Sequence, residues 1–153
     1  MENDRAGQSL QQQLHEIERG ESASWIVYPP TPWWWPVSFG LWAAVFTLVV
    51  SQLDGFVESI SLLGLVALMG LAMVWDRRRR GTYPSGSPPR ELWPAIAGLT
   101  VGAAVVAGLA WLAGEQLSVW LAVAVAAVGA WAVVAWYEHT YAGIAARLRE
   151  RAT

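Results

Sequence analysis

The sequence predicts an all-α integral membrane protein: four transmembrane helices arranged as two hairpins, with the N and C termini cytoplasmic. Three observations lead there. The 153 residues are 55% hydrophobic and only 14% charged, against roughly 25% charged in an average soluble domain; a chain this short needs more polar surface than that. Charge is absent between Glu21 and Asp54, Glu58 and Asp76, Glu91 and Glu115, and Glu115 and Glu138. All ten basic residues are Arg, and they fall in the N-terminal tail, the central loop and the C-terminal tail, whereas the two short loops carry only Asp54, Glu58 and Glu115. By the positive-inside rule, both termini and the central loop then lie in the cytoplasm.

The N-terminal tail, residues 1–33, contains a short amphipathic segment. Ser9 can cap it, Leu10, Leu14 and Ile17 share a face, and Gly20 can end it. Three apolar residues are too few to hold such a helix alone in water, so docking on the protein's own loops or on a partner is expected. The Pro-rich lead from Tyr28 to Pro36 reads as extended.

The membrane domain, residues 34–137, holds helices at 35–53, 57–75, 93–114 and 117–137. Three of the charge-free stretches exceed the roughly 20 residues needed to cross a bilayer core, and Ser59 to Trp75 sits at the lower end of the spanning range. The first and third helices open on Trp-Pro, at Trp35-Pro36 and Trp93-Pro94; Pro suits the first helical turn, where its missing N–H removes an unsatisfied donor. Trp suits the headgroup level. Gly40-Leu41 and Gly98-Leu99 follow at equal spacing, so the motif W-P-x-x-x-G-L occurs twice, 58 residues apart. This suggests a parallel duplicated repeat, with its pseudo-axis along the membrane normal. The cytoplasmic loop 76–92 begins with Arg77, Arg78, Arg79 and Arg80. Residues 138–153 read as a cytoplasmic helical tail, with Tyr141, Ile144 and Leu148 on one face.

Small residues let membrane helices approach closely. Gly98, Gly102 and Gly108 on the third helix, and Ala122 and Ala126 on the fourth, are therefore the expected packing positions of a tryptophan-rich four-helix bundle. A homodimer seam through Gly98 and Gly102 is the alternative use of the same residues.

Function is constrained mainly by what the sequence lacks. No ionisable residue lies at membrane depth, which argues against a proton-coupled pump. With no Cys there is no thiol chemistry. No phosphate loop, zinc motif or dinucleotide fingerprint occurs, so no cofactor or metal is expected. His139 beside Glu138 has no nucleophile arranged with it, so no enzyme is expected. A net charge of −2 gives no field to attract nucleic acid. Arg without Lys, beside abundant Ala, Gly and Val, points to a bacterial coding bias and hence to the bacterial plasma membrane. The stretch from Trp33 to Arg80 resembles the two-pass divisome proteins of actinobacteria in its Trp/Pro-led first helix and its second helix ending in Trp and Arg. It covers under a third of the chain and lacks their outer loop, so no family is assigned. The expected function is a non-catalytic accessory or scaffold subunit, with Arg77 to Arg80 engaging a membrane or cytoplasmic protein partner or anionic membrane lipids. The alternative is a small dimeric transporter or binder of an apolar ligand.

Overall fold

The computed structural model describes residues 31–80 and 88–152. The amphipathic segment expected at residues 9–19 lies outside them. Among the described residues the chain is helical, with no strand: α1 is Trp35–Gln52, α2 Gly55–Arg80, α3 Trp93–Gln116 and α4 Val119–Ala152, with a 3-10 turn at Arg90–Leu92 before α3. All four α-helices are long and apolar enough to cross a membrane.

Local chemistry explains the helix ends. The Trp35 amide donates to Pro32 O at 3.0 Å as α1 begins, and Pro36 occupies the first turn. At its other end Leu53 becomes extended while its amide still reaches Val49 O at 3.1 Å. Gly55 then starts α2 with φ +61°, a left-handed conformation that a side chain would disfavour. The link between α3 and α4 is equally short. The amides of Leu117 and Ser118 both donate to Ala113 O, and Ser118 Oγ accepts from the Leu121 amide at 3.2 Å, capping α4 in the usual way for Ser.

Two helices run past the ends expected from hydropathy. α2 continues from Trp75 through Arg80, so the Arg run belongs to a helix rather than to a loop. Arg is a strong helix former, and cations are favoured at a helix C-terminus. α4 continues beyond Tyr137 to Ala152, as one helix about 51 Å long at 1.5 Å per residue.

Packing is built on small residues. Among the described residues the buried apolar side chains are Pro36, Leu92 and six alanines: Ala95, Ala110, Ala113, Ala122, Ala126 and Ala145. Large side chains such as Leu63, Leu68 and Leu71 face outward. This arrangement suits lipid, where burying a Leu between helices gains little over leaving it in hydrocarbon. α4 lies between α1 and α3 and packs along both, whereas α2 meets α1 at only a few points.

The α3–α4 seam is antiparallel and alternates small with large. A Cβ on Gly98 would stand 2.3 Å from the Trp136 ring, one on Gly102 3.0 Å from Val133, and one on Gly114 3.5 Å from Ala122. Between them the roles reverse: on Gly129 of α4 a Cβ would stand 2.7 Å from Val106 of α3. Gly40 brings α1 against α4, with a built Cβ 2.7 Å from Ala127 O and 3.1 Å from Trp131 Cβ.

Gly108 departs from the expected packing set. Nothing lies within 4 Å of its Cβ position. It is two residues from Val106, hence about 200° round the helix and on the face of α3 turned away from α4.

Candidate functional site

Antiparallel contacts bring specific chain segments to one end of the molecule. Gly40 meets Ala127 and Trp131, and Thr31 Oγ1 donates a hydrogen bond to Glu138 Oε2; α1 and α4 therefore run in opposite directions. Trp42 Nε1 donates to Leu65 O at 3.4 Å, which sets α2 against α1 in the same sense. The start of α1, the end of α2, the 3-10 turn before α3 and the extension of α4 thus share one end. Asp54, Glu58 and Glu115 belong to the other.

The shared end is built in two tiers. Nearer the apolar spans is an aromatic tier. Trp34 and Trp35 meet edge-on at 5.7 Å, Trp35 meets Phe39 at 5.5 Å, and Trp75, Trp93 and Trp136 are about half exposed. Beyond it is a charged tier. Arg77, Arg78 and Arg79 are exposed on consecutive positions of α2, and the Arg79 guanidinium lies over the Trp75 ring at 5.3 Å. Asp76 beside them is buried, at 8% exposure. On α4, the Tyr137 and Tyr141 rings meet at a tilt, their centroids 6.1 Å apart, and Ala145 is buried, as are Leu92 and Ala95 where α3 begins. The 3-10 turn and α4 are in contact.

The residues singled out from sequence occupy three settings. Arg77, Arg78 and Arg79 lie in the charged tier, and Arg80 closes α2. Gly98, Gly102, Ala122 and Ala126 lie along the α3–α4 seam, and Gly108 does not. His139 is exposed on α4 beside Glu138.

Gly40, Gly129, Val106, Val133 and Trp136 carry contacts that sequence reasoning did not bring together. The signal was present in α4, where Ala122, Ala126, Gly129, Val133 and Trp136 follow alternating steps of four and three. Steps of four alone, through Ser118, Ala122, Ala126 and Ala130, drift round the helix; alternation keeps a seam on one face.

The threonine hydroxyls within the spans are satisfied locally. Thr47 Oγ1 donates to Ala43 O at 2.8 Å and Thr100 Oγ1 to Ile96 O at 3.1 Å, each four residues back. What the charged tier offers is ionic and hydrogen-bonding chemistry at the edge of an apolar slab. No family model, curated protein or solved structure matches the chain.

Proposed function

We propose that the chain is a non-catalytic accessory or scaffold protein of the bacterial plasma membrane. In this reading both termini and the loop 76–92 face the cytoplasm, and the four spans form two hairpins. The observation that supports it best is the two-tiered end, where α4 extends about 22 Å past Tyr137 and buries Ala145 on that extension. A rigid platform held at the membrane edge suits docking more than turnover. Its work is to hold a partner protein beside the bilayer.

A dimer would need a face other than Gly98–Gly102, because Val133 and Trp136 of the same chain occupy that seam. The repeat relating the two Trp-Pro motifs is part of the same proposal and implies that the hairpins arose by duplication. The test is purification from native membranes in mild detergent after crosslinking from a benzoylphenylalanine placed at His139 or Arg147, both exposed. A stoichiometric partner crosslinked from the α4 extension is expected. Recovery of the protein alone, uncrosslinked at both positions, overturns the reading.

A further inference from the structure

We propose that Arg77, Arg78, Arg79 and Arg80 form a binding collar for anionic phospholipid headgroups, leaving the α4 extension to carry the partner. The inference deepens the docking reading by dividing the charged tier between two ligands. Four observations carry it.

The first is the geometry of the run. Consecutive helical residues are offset by about 100°, so Arg77, Arg78 and Arg79 fan round more than half of the helix. A protein partner approaches from one side and would leave much of that charge unused. A layer of headgroups surrounds a membrane helix and can use all of it.

The second is the position of α2. Its one substantial neighbour among the described elements is α1, met at few points. Leu71, Met73, Val74 and Trp75, the last two turns before the collar, are each about half exposed or more. Lipid therefore reaches most of the circumference of the helix that bears the Arg run.

The third is depth. Trp75 ends the apolar span, and Arg79 is one turn beyond it. An indole favours the headgroup level, and the Arg79 guanidinium, folded back over the Trp75 ring, lies at that same height.

The fourth is the Arg79–Trp75 stack at 5.3 Å. The contact keeps the guanidinium beside the interfacial indole, and a guanidinium can pair with phosphate oxygens two at a time. Phosphatidylglycerol and cardiolipin supply that phosphate without the choline or ethanolamine cation that would repel an Arg run.

The measurement is lipid selectivity by electron paramagnetic resonance. Purified full-length protein is reconstituted in phosphatidylcholine vesicles carrying spin-labelled phosphatidylglycerol or spin-labelled phosphatidylcholine. Each basic residue near a membrane surface attracts anionic lipid appreciably, so the motionally restricted fraction should favour phosphatidylglycerol by about threefold or more. Raising salt from about 0.1 M to about 1 M shortens the screening length from about 10 Å to about 3 Å and should remove most of that preference. Replacing all four by Gln (Arg77→Gln, Arg78→Gln, Arg79→Gln, Arg80→Gln) should bring the ratio near one. Replacing Arg90, Arg147 and Arg149 by Gln should leave most of it. The wild-type salt response stands as evidence even if the fourfold variant does not fold. Equal restriction of both lipids by the wild type, a preference insensitive to salt, or one abolished only by the second set of substitutions overturns the proposal. Since no partner is present, these outcomes are independent of whether a partner is recovered from native membranes.

Discussion

At the scale of single residues, glycines in this protein differ by what stands opposite them. Gly40 faces the Ala127 carbonyl, a backbone atom that cannot swing aside. Gly98 faces the far edge of the Trp136 indole, which can. Gly108 faces open space. Thermal unfolding in detergent should therefore rank three substitutions. Gly40→Ala should destabilise most, by about 1–3 kcal/mol as expected for overpacking. Gly98→Ala should cost less, and Gly108→Ala should be neutral or slightly stabilising because Ala is the better helix former. Equal effects at Gly40 and Gly108 would contradict the seam described above. The ranking could not be read from spacing, because Gly98-x-x-x-Gly102 and Ala104-x-x-x-Gly108 look alike in sequence. Only the rotation of α3 against α4 separates them.

At the scale of elements, the helices were legible and their attachments were not. Charge-free stretches flanked by Trp locate four spans because the bilayer imposes both the length and the interfacial aromatics. Hydropathy carries no information on which span touches which, since a Leu facing lipid and a Leu facing a helix have similar surroundings. It also stops at Trp75 and Tyr137, whereas the helices continue in water on Arg-rich and Ala-rich segments. The unequal attachments have a measurable consequence. α2 is held to α1 by few contacts and the bond from Trp42 Nε1 to Leu65 O, so it should separate first. Nitroxide pairs at the exposed positions Leu41 and Leu63, and at Val105 and Val128, report the α1–α2 and α3–α4 pairings. In an SDS titration the first pair should lose its distance at lower denaturant than the second. Trp42→Phe should widen the gap by about 0.5–1 kcal/mol, the usual worth of a hydrogen bond between membrane helices. Coincident transitions would show that α2 is held as firmly as the rest.

At the scale of the whole molecule, charge asymmetry is the organising feature. The Arg residues of the described chain gather with the aromatic tier at one end, and Asp54, Glu58 and Glu115 at the other. The proposed orientation makes a direct prediction for intact cells. Asp54→Cys should react with a membrane-impermeant maleimide added outside, and Arg90→Cys only after the membrane is opened. The reverse pattern would invert the protein and remove the cytoplasmic platform. The candidate interface was legible as an Arg run and a helical tail. The contact of the 3-10 turn with α4 was not, because the two elements are far apart in sequence and no local pattern announces it.

The continuity of α4 also has a mechanical side. In the proposed orientation one unbroken helix crosses the apolar slab and continues into water, so its outer part behaves as the long arm of a lever pivoted at the membrane surface. A tilt of roughly 10° would displace the tip of a 22 Å arm by about 4 Å. Tilt is how a membrane helix accommodates a change in bilayer thickness. Whatever rests on that arm would feel the thickness of the membrane as a change of position.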